Sequence, residues 1–99
     1  MFGETMTLEE FRATFAQHAP PHDCSPALRA MWEDAKGNWN EAHAIAQEIE
    51  DQTGSWIHAY LHRKEGDLAN AGYWYRRAGQ SVAGDPLDAE WTRIVSTLL

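Results

Sequence analysis

A single cysteine, Cys24, leaves no internal disulfide framework and no multi-cysteine zinc site to build on. Basic residues are outnumbered, with eight Lys and Arg against fifteen Asp and Glu, for a net charge of −7. General nucleic-acid binding draws on many phosphate contacts and fits such a chain poorly. No run of residues approaches the ~18 consecutive apolar positions of a membrane span. The opening MFGETMTLEEF also lacks a basic stretch followed by an apolar one. Neither membrane nor leader is expected, and the cytoplasm is the default compartment. No glycine-rich phosphate loop and no nucleophile elbow is present. Cys24 follows His22 and precedes a helix start, which favours a lowered thiol pKa. Sequence proximity of His18 or His22 does not supply a positioned base, however, and Cys24 reads as a loop residue.

What the chain does have is aromatic bulk and an uneven distribution of charge. Five Trp, three Tyr and three Phe in 99 residues give a single small domain large apolar side chains to bury. Residues 1–55 carry a net −7, residues 56–80 a net +2 and residues 81–99 a net −2. The middle of the chain is therefore a basic island in an acidic protein.

Residues 27–49 and 56–78 are two copies of one pattern, offset by 29. Ala30, Gly37 and Ala42 recur as Ala59, Gly66 and Ala71. Leu28, Met31, Trp32, Trp39, Ile45, Ala46 and Ile49 meet Ile57, Tyr60, Leu61, Leu68, Trp74, Tyr75 and Ala78. A period of this length is the mark of stacked helical hairpins. Local signals agree. Thr7 and Glu10 form a capping box that opens a helix through about His18, ended by Pro20 and Pro21. Ser25 and Pro26 open a helix to about Lys36, and Gly37 ends it. Trp39 to Glu50 forms the next, with Trp39, Ala42, Ile45, Ala46 and Ile49 in one stripe. A turn at Thr53-Gly54-Ser55 leads to a helix over about 55–65. Gly66 stops it, and Asp67 caps a fifth with Leu68, Ala71, Trp74, Tyr75 and Ala78 on one face. Asp85-Pro86 opens a last helix whose Leu87, Trp91, Ile94, Val95 and Leu98 would cover the open end of the stack. The expected fold is all-α, about six helices, with repeat 1 at about 26–51, repeat 2 at about 55–80 and a capping helix at about 86–98.

Helix, Gly-Asp or Gly-Asn turn, helix, with Ala in the middle of both helices, resembles the tetratricopeptide repeat. Ala59, Gly66, Asp67, Ala71, Tyr75 and Ala78 carry the likeness over about residues 26–80, although the period is 29 rather than 34 and the closing Pro is missing. The strings WEDAKGNWNEAHAIAQ (32–47) and WIHAYLHRKEGDLANAGYWYRRAG (56–79) also resemble short bacterial proteins of no established activity. The resemblance implies a short tetratricopeptide-like stack of hairpins and adds no function.

Two copies of one scaffold act as an internal control, because matching positions are accounted for by packing. Among the mismatches, Arg29 becomes His58, Glu33 becomes His62, Asp34 becomes Arg63, Glu41 becomes Asn70, Ala44 becomes Tyr73, Gln47 becomes Arg76 and Glu48 becomes Arg77. Last repeats also diverge merely because they meet a cap. His58 and His62, four apart, share a helix face and suit co-ligation of a metal such as zinc. His43 or Glu33 is the candidate third ligand, although no HExxH string is present. The plainer alternative pairs His62 with Glu33 and leaves His58 to bond nearby backbone. Asn70, Tyr73 and Arg77 fall on one face and, with Arg63 and the two histidines, suit a carboxylate or phosphate. A solvated helix face is the competing interpretation. Trp74 and Tyr75 read as core. Trp56, Tyr60, Arg63 and Lys64 would line a concave surface suited to an acidic peptide, with simple burial the stronger expectation for Tyr60.

The leading expectation is therefore a non-enzymatic interaction module that binds an acidic peptide, a protein surface or a small anionic ligand. Its site would be Trp56, His58, Tyr60, His62, Arg63, Asn70, Tyr73 and Arg77, with no cofactor. The alternative is a metal-binding protein or small metalloenzyme using His58, His62 and one of His43 or Glu33. A homodimer built on aromatic surface is compatible with either.

Overall fold

The computed structural model describes residues 6–99. Among them are six α helices and no strand: α1 (Leu8–Ala13), α2 (Pro26–Ala35), α3 (Trp39–Gln47), α4 (Gln52–Glu65), α5 (Leu68–Ala78) and α6 (Leu87–Leu98). The all-α expectation holds, and most boundaries fall where the local chemistry puts them. Thr7 and Glu10 form the capping box, Ser25 accepts from the Leu28 amide with Pro26 behind it, and Asp67 caps α5 through the Asn70 amide. Gly37, Gly66 and Gly79 adopt φ of 88°, 90° and 70°, a left-handed region where a Cβ would be strained.

Three boundaries differ from expectation: α3 ends at Gln47 rather than near Glu50, and the other two differ for a visible reason. α1 stops at Ala13 rather than near His18, and a 3₁₀ turn, Thr14–Ala16, follows. Thr14 Oγ1 donates to the Phe11 carbonyl at 2.6 Å and accepts from Trp32 Nε1 at 3.0 Å, which pins the chain to α2 before the prolines are reached. At the other boundary, the expected turn at 53–55 is the first turn of α4. Asp51 is its cap, accepting from the Gly54 amide at 3.0 Å. A Cβ on Gly54 would lie 2.0 Å from the Ile49 carbonyl oxygen. Glycine is there because the end of one hairpin touches the start of the next, not because the chain turns.

α2 and α3 pack as one hairpin and α4 and α5 as another, with α3 against α4 joining them. The main core gathers Phe11, Met31, Trp32, Ile57, Leu61, Trp91, Ile94 and Val95. A smaller cluster of Ala59, Ala71 and Tyr75 is covered by Trp56, Trp74 and Ala83. The last helix does not close the end of the stack. It lies against α2 and α4, the first helix of each hairpin. Trp91 Nε1 donates to the Met31 carbonyl at 3.1 Å, and Phe11 and Phe15 of the N-terminal segment pack on the Trp91 ring.

One buried charge explains that placement. Glu90 is fully inaccessible to solvent. Its Oε1 accepts from Arg63 Nη1 at 2.7 Å, its Oε2 from Trp56 Nε1 at 3.2 Å, and Tyr75 Oη reaches both oxygens at 2.7 and 2.8 Å. Burial, followed by the Glu90 hydrogen bond and charge, raises the Tyr75 pKa and keeps its hydroxyl a neutral donor. Removing the carboxylate would leave the partly buried Arg63 without its counter-charge, and Tyr75 Oη and Trp56 Nε1 without their acceptor. Glu90→Ala is expected to cost about 3–5 kcal/mol in urea unfolding; a loss below about 1 kcal/mol would show that the network does not hold α6. Gly54→Ala is expected to cost about 1–3 kcal/mol by overpacking against Ile49, and an unchanged urea midpoint would reject the close approach.

Candidate metal centre

Helical spacing puts His58 and His62 on one side of α4, and α3 packs against that side with Trp39 and His43, again four apart. Trp39 Nε1 donates to the Leu61 carbonyl at 2.9 Å, which fixes the height of α3 on α4. Three imidazoles converge as a result. His43 Nε2 and His58 Nε2 are 3.0 Å apart. One ring nitrogen from each of His43, His58 and His62 falls within 4.8 Å of the other two. His58 and His62 are buried, and His43 is half-buried.

The walls are aromatic. Trp39 stacks on His43 with ring centres 4.9 Å apart and planes 11° from parallel. Trp74, from α5, stacks on His58 at 3.9 Å and 13°. Each tryptophan holds its histidine at a fixed tilt and keeps water from one ring face. Glu65 Oε2 lies 2.6 Å from His62 Nδ1, so Nδ1 carries the proton and His62 Nε2 is left as a lone pair. That lone pair faces Asn70 Nδ2 at 3.4 Å.

Crowding three imidazoles disfavours any positive charge among them. The His58 pKa falls from 6.5 to about 4, through burial first and then through His43 and His62. The His43 pKa is lowered by burial and by His62, against a smaller opposite pull from Glu65. The lowered values of His43 and His58 favour the neutral imidazole, the protonation state that coordinates a metal.

The other expected site residues are distributed differently. Glu33, the alternative ligand, accepts from Asn38 Nδ2 at 2.8 Å and is not in the three-histidine group. It does not pair with His62 either, because Glu65, one helical turn along on α4, takes that place. Tyr60 is buried and donates to Asp34 Oδ2 at 2.8 Å, while Lys64 holds Asp34 Oδ1 at 2.8 Å. Arg63 and Trp56 are engaged with Glu90. The four residues expected to receive an outside carboxylate thus hold two of the chain's own, Asp34 and Glu90. Asn70 borders the histidines. Tyr73 and Arg77 lie on the outer surface, where Arg77 Nη1 donates to Tyr73 Oη at 3.1 Å and its guanidinium sits 5.2 Å from the Trp74 ring centre.

Trp39, Trp74 and Glu65 escaped the sequence reading as parts of the site. Both tryptophans lie on apolar stripes and read as core. The retrievable signals were the four-residue spacing of Trp39 and His43 and the three-residue spacing of His62 and Glu65. No protein-family model matches the chain, and no curated protein or solved structure matches it. Among the described residues, no helix is long and apolar enough to cross a membrane.

The depressed His58 pKa has a sign that can be measured. Between pH 6.5 and about 4 the unfolded chain takes up a proton that the folded chain refuses, so stability falls as pH drops through this window. His58 alone is expected to remove about 3 kcal/mol between pH 7 and pH 4 in metal-free protein. His43, His62 and Glu65 are the ionisable groups around it. Urea unfolding at stepped pH should show a shallower acid loss in His58→Phe than in the wild type; equal slopes would refute the shift.

Proposed function

We propose that the chain is a metalloprotein that binds one divalent transition-metal ion through Nε2 of His43, His58 and His62. The observation that carries this reading is the convergence of three imidazole ring nitrogens from two helices, with two of them 3.0 Å apart. A tetrahedral ion with metal–nitrogen bonds of about 2.0–2.1 Å sets its ligand nitrogens about 3.3 Å apart. Small side-chain rotations therefore separate the present arrangement from a coordinating one. An all-imidazole set suits zinc, copper or nickel better than calcium or magnesium.

The surroundings support the same reading. Glu65 on His62 Nδ1 is the outer carboxylate that raises ligand basicity and sets the tautomer. Trp39 and Trp74 hold two of the rings in place before any ion arrives. Three protein ligands leave a fourth position for water or a small anion, the ligand count of catalytic zinc sites rather than closed structural ones. The half-buried His43 and Asn70 border that position.

The test is calorimetric titration of metal-free protein with zinc. One ion per chain is expected, with affinity falling about 10–100-fold in Glu65→Gln and at least as far in His43→Ala and His58→Ala. Free zinc at ~100 times its Kd should stabilise the fold by about 2.7 kcal/mol. A flat titration together with an unmoved Tm would remove the proposal.

A further inference from the structure

The repeat has a consequence beyond the metal site. Inside the molecule, a ridge on the second helix of hairpin 1 seats on a face of hairpin 2. The ridge is Trp39, His43 and Gln47. Trp39 bonds the Leu61 carbonyl, His43 meets His58, and Gln47 shares a recess with Ser55, Trp74 and Arg77. Both partners of this junction exist a second time, by the offset of 29, at the two outer ends of the stack.

The outgoing ridge of α5 is Leu68, Gly72 and Arg76, equivalent to Trp39, His43 and Gln47. It is open. Leu68 is 68% exposed, the highest value among the large apolar side chains of the described residues. Arg76 is exposed and pairs with no carboxylate among the described residues. Residues 79–86 already cover the α4 side of this end, where Ala83 rests on Ala59, Ala71 and Tyr75. Only the α5 ridge is therefore presented. At the opposite end, the outer groove between α2 and α3 is a cavity of about 730 Å³, lined by Arg29, Glu41, Ala44, Ile45 and Glu48 among others. These five are the equivalents of His58, Asn70, Tyr73, Trp74 and Arg77.

We infer that the groove between α2 and α3 receives the α5 ridge of a second copy of this chain, repeating the internal junction head to tail. The chemistry agrees position by position. The pair Gln47 and Arg77 becomes Arg76 of one copy beside Glu48 of the next, an opposite-charge contact. The pair His43 and His58 becomes Gly72 beside Arg29, a small residue where the longer side chain needs room. Leu68, exposed on one copy, takes the place that Trp39 holds in the internal junction. Glu41 and Asp51 add to the acidic side of the groove, which disfavours groove-to-groove pairing and favours one direction of stacking. The two surfaces differ, so the contact is heterologous and extends as an open chain rather than closing as a dimer.

Sedimentation velocity with chelator present keeps this inference separate from metal binding. The expected result is a weight-average mass that rises with protein concentration through the micromolar-to-millimolar range without levelling at the dimer, and that falls with added salt. Glu48→Arg and Arg76→Glu each place like charges together and should weaken association roughly tenfold or more. Mixing these two variants should restore it, because each then offers the other an opposite charge. Circular dichroism melting of both exposed-site variants checks that they fold. Three results would overturn the inference: a monomer at every concentration, a closed dimer, or an assembly indifferent to both substitutions. The last would place the contact elsewhere, for example at the exposed Tyr73 or Val82.

Discussion

The Glu90 carboxylate is the point on which the arrangement of helices turns. It is sealed from solvent, and its donors come from α4 and α5 while it sits on α6. A buried anion is tolerable only when fully hydrogen-bonded, so these three helices have one workable relative placement. Asp34, held by Tyr60 and Lys64, ties α2 to α4 in the same way. An acidic chain thereby uses two of its cations, Arg63 and Lys64, to hold its buried carboxylates. Its first hairpin helices are occupied by its own last helix and not left as an open concave face.

The histidine group depends on that framework. α4 supplies two imidazoles and α3 the third, and the Trp39 bond to the Leu61 carbonyl sets their relative height. Trp74 reaches His58 because α5 is held against α4 by the Tyr75–Glu90 contact one residue along. Below neutral pH the metal-free group is costly, since the buried His58 resists protonation. Such spending of stability on buried polar side chains is what a functional centre in a well-packed fold looks like.

Comparing one hairpin with the other separates scaffold from function in a way that composition does not. Ala30, Ala42, Ala59 and Ala71 are all buried, and the alanines let the paired helices approach. The exchanges Arg29 to His58 and Glu41 to Asn70 lie at the internal junction in one copy and at an outer end in the other. The same offset that makes a polar centre where the hairpins meet leaves an acidic groove where hairpin 1 ends. Divergence between the copies is therefore positional.

Local chemistry, acting over three or four residues, settled the helices from sequence alone. Capping at Thr7, Ser25 and Asp67, the left-handed glycines and the apolar stripes depend on neighbours in the chain and are legible there. So was the pairing of His58 with His62, which needs only the helical repeat. What depended on packing was not legible. Thr53-Gly54-Ser55 looks like a turn until Gly54 is seen touching Ile49, and Trp74 looks like core until His58 is found beneath it. Glu33 looks like a partner for His62 until Glu65 is found nearer. Sequence spacing fixes the direction of a side chain within its own helix, whereas its distance to another helix is set by buried contacts such as Glu90 that are remote in the chain. That is why the three histidines could be named in advance, and why only the tertiary structure decided that they meet and what surrounds them.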